Sequence, residues 1–438
     1  MSGAYNTTTA GPHDNSRREE ARPEEAGRDQ SGRAPGRPVV LQVLPALVTG
    51  GAERGAIDVA AALHQAGGTP LVASSGGPMA RELERWRIPH FTLPLDSKNP
   101  LTLWRNVDRL SRLIREHKVD IVHARSRAPA WSAYGAARRT GVPFMTTFHA
   151  PYNFSGKSKL FYNSVMARGD RVIAISEFIR DHILANYRID PDRIRVIHRG
   201  IDSNSFAPDR VSPERVIQLA RAWRLPDGHQ VIMLPGRLTR WKGQTVLIDA
   251  LARLGRKDVC CLMVGSDQGR AGYRQELEEQ VRRLGLEGVV RLVDHCNDMA
   301  AAYMLADVVV SASSDPEAFG RVIVEAQAMG RPVIVTNHGA VRETVVAGET
   351  AWVVPPNDAD ALAEALGEAL ALDADQRAVL GERAMAYVNS RFTRDRMCRD
   401  TLAVYGELMA ERAATGGATG GAAAGAGPGA GSGGPRQA

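Results

Sequence analysis

Glu317 and Glu325 flank a glycine turn within the stretch DPEAFGRVIVEAQAMGRPVIVTNHGAVRE, residues 315–343. Pro316 and Gly320 mark a loop, residues 322–329 read as a buried helix, and Gly330-Arg331-Pro332 stops it before the apolar strand 333–336. The first turn of that helix offers unpaired backbone N–H groups and the positive end of a dipole, both attractive to a phosphate. One glutamate lies before the helix and the other about two turns inside it, so at roughly 1.5 Å rise per residue their carboxylates stand on the order of 10 Å apart. At that separation they share no proton. Each is placed to accept hydrogen bonds from a different set of hydroxyls, one from a sugar and one from a ribose. Arg237 and Lys242, in a glycine-bounded loop after an apolar strand, add a rigid fork and a mobile point charge that converge on a diphosphate. Such a set suits gripping a nucleotide-sugar.

These residues need a scaffold, and the apolar pattern supplies one. Residues 39–44 read as a strand, Gly50-Gly51 as a turn whose missing side chains let the backbone approach a ligand, and 53–66 as an Ala-rich helix. Further strands are expected at 70–74, 90–93, 121–123, 144–148, 171–175 and 194–197, with helices between them. After a Pro-containing, charged connector at 202–228 the pattern resumes, with strands at 230–234, 259–264, 289–292, 308–312, 333–336 and 351–354. Short apolar strands alternating with helices predict an α/β chain of two Rossmann-like, doubly wound parallel sheets facing each other across a cleft. In such sheets ligands bind beyond the carboxyl ends of the strands, and each motif named above follows a predicted strand.

Length and composition bound the reading. The 438 residues suffice for two ordinary domains, with boundaries expected at 37–205 and 206–392, and a last helix over 393–412. Residues 1–36 are polar and 413–438 are nearly all Gly and Ala, so both tails are expected to be disordered. The net charge of +6 hides an asymmetry, because residues 37–205 carry 24 Lys+Arg against 14 Asp+Glu, and residues 206–412 carry 25 against 29. Part of the excess falls on the helix 101–118, where Leu103, Val107, Leu110 and Ile114 form an apolar stripe and Arg105, Arg109, Arg112 and Arg115 lie mostly elsewhere. That basic face is either simply solvated or a contact with an anionic membrane surface or a phosphorylated lipid acceptor. Nucleic acid is not expected as a partner, because no aromatic stacking platforms are interleaved with the basic residues. Cys260, Cys261, Cys296 and Cys398 lack metal-like spacing and read as reduced packing residues, with no zinc site. No apolar run reaches signal-peptide or membrane-spanning length, so a cytoplasmic location is expected, at the inner face of the membrane if the basic face docks there.

The segment 315–343 resembles the donor-site signature of retaining glycosyltransferases of family four, which have the GT-B fold. Three further blocks match that family in the same order: Gly50-Gly51-Ala52-Glu53, VIHRGID at 196–202, and Pro235-Gly236-Arg237-Leu238 running to Lys242-Gly243. The match extends over about residues 39–392. Within the family, Pro45-Ala46-Leu47 with the Gly50 block, and His123-Ala124-Arg125-Ser126, resemble bacterial lipopolysaccharide and cell-envelope sugar transferases. The resemblance implies an acceptor-side first domain, a donor-binding second domain, and a final helix that crosses back onto the first. It places Gly50 and Gly51 against the donor phosphate and His149 against the transferred sugar. Ala318, Phe319 and Gly320 would contribute N–H groups beside Glu317, and His295 would lie where the base is read. His123 and Arg125 are expected on the acceptor side. The family often has Gly-Gly where this chain has His338-Gly339-Ala340, so local sugar contacts differ.

The implied activity is transfer of a sugar, with retention, from a nucleotide-diphosphate sugar to a glycolipid or oligosaccharide acceptor of lipopolysaccharide type. No cofactor or metal is expected, since the two cations neutralise the leaving diphosphate and no Asp-x-Asp motif is present. A nucleotide-sugar 2-epimerase of the same fold and a catalytically silent nucleotide-sugar-binding protein are the alternatives. An NAD-dependent enzyme is more distant, because Gly50-Gly51 lacks the G-x-G-x-x-G spacing.

Overall fold

In the computed structural model, residues 37–420 are described except Thr49, Asn153, Ser155 and Arg270, with side chains as far as Ala414. The expected disordered segments 1–36 and 421–438 lie outside the described residues.

The first sheet comprises β1 (Val39–Val43), β2 (Thr69–Ser74), β3 (His90–Thr92), β4 (Ile121–Ala124), β5 (Phe144–Phe148), β6 (Arg171–Ala174) and β7 (Ile194–Val196), in the order β3-β2-β1-β4-β5-β6-β7. The second comprises β8 (Gln230–Pro235), β9 (Val259–Val264), β10 (Val290–Val293), β11 (Val308–Ser311), β12 (Val333–Thr336) and β13 (Ala351–Val354), in the order β10-β9-β8-β11-β12-β13. Every pairing is parallel.

Strands buried on both faces explain the near-continuous apolar runs. In β8, Val231 and Met233 pack with Tyr303, Ala301 and Val309 on one side. Ile232 and Leu234 pack with Leu247, Leu277 and Leu366 on the other, as the two-residue period requires.

Strand order reverses between β1 and β4 in the first sheet and between β8 and β11 in the second, and crevices for ligands open at such switch points. The Gly50-Gly51 turn leaves β1, the loop carrying Arg237 and Lys242 leaves β8, and the Glu317 loop leaves β11.

Two chain segments run between the sheets side by side. Ile201 N–H donates to the Phe392 carbonyl (2.9 Å) and Arg394 N–H to the Ile201 carbonyl (2.7 Å). A Cβ at Gly200 would overlap the Thr393 carbonyl, so this crossing demands glycine.

The last helix, Arg394–Gly420, then lies on the first sheet, where Val404, Tyr405 and Leu408 pack with Val40, Ile121 and Met145. Its Glu407 pairs with Arg171 (3.0 Å) and Arg195 (2.8 Å). The Gly/Ala stretch expected to be disordered from 413 is therefore corrected in part, because the backbone stays helical to Gly420. Ala413 and Ala414 propagate a helix that packing has already nucleated.

Among the described residues no helix is long and apolar enough to cross a membrane.

Candidate active site

The helix Gly51–Gln65 begins directly after the β1 loop, with Gly50 at its N-cap in an extended conformation. Two arginines from distant segments crowd this start. A Cβ added to Gly51 would meet Arg199 Nη2 at 3.4 Å and Arg321 Cδ at 3.5 Å, so the absent side chains here make room for guanidinium groups.

Gly50, Gly51, Arg237, His295 and Glu325 line one cavity of 560 Å³ between the two sheets' loops, together with Glu53, Ser266, Cys296, Met299 and Tyr303. Arg237 is exposed and makes no ion pair with a described residue, leaving its fork free for an anion. His295 is exposed at the rim. Cys296, expected only to pack, is half-buried and lines this cavity, while Cys260, Cys261 and Cys398 are buried.

Lys242 follows Arg237 around a short 3₁₀ turn that Gly243 closes at φ 71°, and a Cβ there would overlap the Ala312 carbonyl. The Lys242 stem packs on Gly236, at the cavity wall, and its ammonium pairs with the Glu317 carboxylate while standing 4.3 Å from the Trp241 ring. Glu317 is buried, and the same carboxylate oxygen accepts from Ser313 Oγ at 2.6 Å. Gly339 matters here: its φ of 74° and its approach to the Glu317 backbone forbid a side chain, and Ala340 N–H donates to the Glu317 carbonyl at 2.8 Å. The second residue of the His338-Gly339 pair therefore supplies the glycine that the turn requires, while His338 Nδ1 lies 3.1 Å from the Ser314 carbonyl, to which it donates.

The loop then runs through Ala318 and Phe319 to Gly320, the N-cap at φ 81°, and the helix Arg321–Ala328. The N–H groups of Ala318, Phe319 and Gly320 donate to no backbone carbonyl among the described residues. The Ala318 carbonyl accepts from Ser176 Oγ (2.8 Å), and Phe319 packs edge-on against Phe392. Inside the helix, the buried Glu325 carboxylate is held by Tyr303 OH (3.0 Å) and Arg321 Nη2 (2.7 Å). Burial, with Glu325 alongside, pushes the Tyr303 hydroxyl well above its usual range, so it remains a donor.

His149 follows β5 and reaches the same region through Arg199. The guanidinium of Arg199 donates to the Gly51 carbonyl and lies 3.1 Å from His149 Nδ1.

Burial, then Arg199 and Arg125, hold the imidazole pKa well below its ordinary value.

His123 and Arg125, expected on the acceptor side, lie inside the first domain. His123 is fully buried, bonded through Nδ1 to Tyr405 OH (2.8 Å) and through Nε2 to Thr147 Oγ1 (2.7 Å). As a strand residue its side chain stands perpendicular to the sheet, toward the face that the last helix covers, and not off the carboxyl edge. Arg125 is also buried, donating from Nε to Gln42 Oε1 (2.6 Å).

Three contributors escaped the sequence reading. Arg321 sits four residues before Glu325, a helical pairing distance that could have flagged it. Arg199 lies inside the VIHRGID block but carried no assigned role. Tyr303 gave no local signal, since only folding brings it to Glu325.

Among the described residues no group of three or more His, Cys, Asp or Glu side chains is arranged to hold a metal ion.

Comparison with known proteins agrees with this fold. Residues 49–205 match the family described as Glycosyltransferase Family 4, and residues 217–386 match Glycosyl transferases group 1. Curated relatives include D-inositol 3-phosphate glycosyltransferases of Salinispora tropica (30% identical, covering 67% of this chain and 64% of the relative) and Actinosynnema mirum (30% identical, 66% and 72%). The one from Corynebacterium kroppenstedtii is 33% identical over 52% of this chain and 51% of its own length. The chain thus spans less than two thirds of the Salinispora and Corynebacterium relatives. Among solved structures, a glycosyltransferase from Rickettsia africae is 39% identical with a TM-score of 0.79, covering 85% of this chain and 99% of that one. HepE of Anabaena, solved in complex with UDP and glucose, is 26% identical with a TM-score of 0.74, covering 84% and 99%. These neighbours have the GT-B arrangement of two parallel-sheet domains seen here.

Proposed function

The chain belongs to glycosyltransferase family 4, and on that premise we propose that it transfers a hexosyl group from a nucleoside-diphosphate sugar, with retention and without a metal, to an envelope glycolipid or lipopolysaccharide-type acceptor. One observation carries this reading: a single cavity gathers the Gly50-Gly51 turn, the unpaired Arg237 and the Glu325 carboxylate, with the Lys242–Glu317 pair at its wall. The solved complexes of HepE with UDP and with UDP-glucose support a UDP-sugar as donor.

In this mechanism Glu325 accepts the ribose hydroxyls and Glu317 the sugar hydroxyls. The C1–O bond to the diphosphate breaks with its electron pair on the phosphate oxygen, and that charge is received by Arg237, by Lys242 and by the N–H groups of Ala318, Phe319 and Gly320. The acceptor hydroxyl attacks C1 from the same face and passes its proton to the departing phosphate. Glu317 is engaged by Lys242 and Ser313, which supports a binding role over that of a nucleophile. A covalent glycosyl adduct on Glu317, seen by intact-mass measurement, would overturn this route.

A lipid-borne acceptor is supported by the helix Pro100–Glu116, where exposed Leu101 and Trp104 accompany the exposed Arg105, Arg112 and Arg115. Curated relatives named for inositol 3-phosphate favour a second reading, a small phosphorylated cyclitol. Thermal-shift titration with UDP-, GDP- and ADP-sugars tests the donor, since a ligand at about 100 times its Kd adds about 2.7 kcal/mol. Release of UDP on adding vesicle-borne glycolipid, but not inositol 3-phosphate, selects the first acceptor. Donor turnover with no acceptor would point to an epimerase, and no stabilisation by any nucleotide-sugar would refute the proposal.

A further inference from the structure

Arg199 is an unusual residue to bury. It stands on the segment after β7, 5% exposed, beside two other cations, Arg125 and Arg321. Burial first, and then those neighbours, pull its guanidinium down to about 9, so it is still charged at neutral pH. Asp58 and Glu53 on the helix Gly51–Gln65 offset the crowding only in part. The fold also clears space for it, because a Cβ at Gly55 would stand 3.0–3.1 Å from the guanidinium. A carbonyl partner such as Gly51 could be satisfied by a neutral amide, so that contact alone does not account for a charge placed among like charges.

The other contact does. A guanidinium has only N–H donors, and Arg199 Nη1 lies 3.1 Å from His149 Nδ1, so Nδ1 must be the bare, accepting nitrogen. The ring proton then resides on Nε2. That atom is buried and has no hydrogen-bond partner among the described residues. Such a donor is costly to leave unmet unless a ligand meets it.

We infer that Arg199 is a positioning residue that locks His149 as the Nε2–H tautomer, making the imidazole a hydrogen-bond donor to the transferred sugar and barring it from acting as a base. This rests on the donor-transfer reading given above. The other groups facing the ring argue the same way. Arg125 follows β4, and His123 lies within that strand with its own pKa well below normal through burial, Arg125 and His149. Tyr152 stays a neutral phenol, its pKa pushed up to about 12 by burial. Among the described residues no carboxylate acts on His149, so none of them favours the imidazolium.

The test uses the full chain labelled with ¹⁵N-histidine and long-range ¹H–¹⁵N correlation, with the His149 signals identified by their loss in His149→Asn. The expected spectrum shows a bare Nδ1 and a protonated Nε2, unchanged as the pH falls through the ordinary histidine value of about 6.5. In Arg199→Met the ring should lose its single tautomer and begin to protonate in that window. The kcat/KM profile of this variant should then gain an acidic limb that the wild type lacks, with kcat down about tenfold or more while donor Kd changes less than about threefold. Arg199→Lys, which keeps a donor for Nδ1, should restore most of the flat profile. A proton on Nδ1 in the wild type overturns the inference. So does an Arg199→Met enzyme that is slower with an unchanged pH profile and tautomer. If Arg199→Met does not fold, the wild-type spectrum still decides. Calorimetry with UDP-glucose separates the two levels, because an enzyme with the expected tautomer but no affinity for any nucleotide-sugar contradicts the functional reading and not the tautomer.

Discussion

The ion pair between Lys242 and Glu317 gives the strongest test, because the same two residues are expected to behave as a unit in stability and in catalysis for different reasons. Their side chains are only 13% and 9% exposed, so each charge depends on the other. Removing one partner of a buried pair costs about 3–5 kcal/mol, mostly by leaving the survivor desolvated. Glu317 would keep its hydrogen bond from Ser313, so Lys242→Met is expected just below that range, about 2–3 kcal/mol. Glu317→Gln strands the ammonium, which is mobile enough to reach solvent, and should cost less, about 1–2 kcal/mol. The double variant carries no unpaired charge and should recover much of the sum, a coupling of about 2 kcal/mol. Catalysis should not recover. Lys242→Met removes a cation from the leaving diphosphate and should lower kcat by about 10²–10³. Glu317→Gln weakens the grip on the sugar, and the double variant should be at least as slow as Lys242→Met. Apparent melting temperatures of the four proteins, with initial rates of UDP release from the donor, complete both cycles. Additive melting shifts, or a double variant faster than Lys242→Met, would refute the reasoning.

Two further outcomes follow from single contacts. Glu343, from the segment after β12, accepts from Glu177 N–H (2.7 Å), Phe178 N–H (2.8 Å) and His198 Nε2 (2.9 Å) of the first domain. Burial alone would raise this carboxyl, but those hydrogen bonds outweigh it and set its pKa below normal. A depressed carboxyl stabilises the fold above its unfolded pKa of about 4.3 and loses that contribution as pH falls through the lower folded value. Glu343→Gln should therefore melt below the wild type at pH 7, with a gap that closes under acid, and a gap independent of pH would contradict this. Gly243→Ala combines φ 71° with overlap of the Ala312 carbonyl, whereas Gly285→Ala has φ 64° and nothing within 4 Å. The second should cost about 1–2 kcal/mol from the left-handed backbone alone. The first should cost more and weaken donor binding at least tenfold by displacing Lys242, as read by melting and calorimetry. Equal effects at both glycines would show that the close approach does not matter.

Much of the architecture was legible because it follows from local rules. The alternation of apolar strands and helices predicted both sheets, and 144–148, 259–264, 333–336 and 351–354 match observed strands residue for residue. The fully buried runs that define these strands arise wherever helices cover both faces of a parallel sheet, so their signal is written in consecutive residues. The loops bearing Arg237, Lys242 and Glu317 were legible for the same reason, since glycine and proline punctuate them.

The surroundings of His123 and Arg125 were not legible for the opposite reason. The end of a strand tells which loop a residue approaches, but the facing of its side chain depends on what lies over the sheet. Here that is Tyr405, 282 residues away in the chain. Likewise Glu325 meets Tyr303, and both His149 and the Gly51 carbonyl meet Arg199, each brought in from another segment. Amino-acid order thus specified the elements and the chemistry on their loops, because propensity, burial period and turn geometry act over a few neighbours. Which donors meet which acceptors was decided only by folding, because hydrogen bonds and charges act through space, and neighbours in space need not be neighbours in the chain.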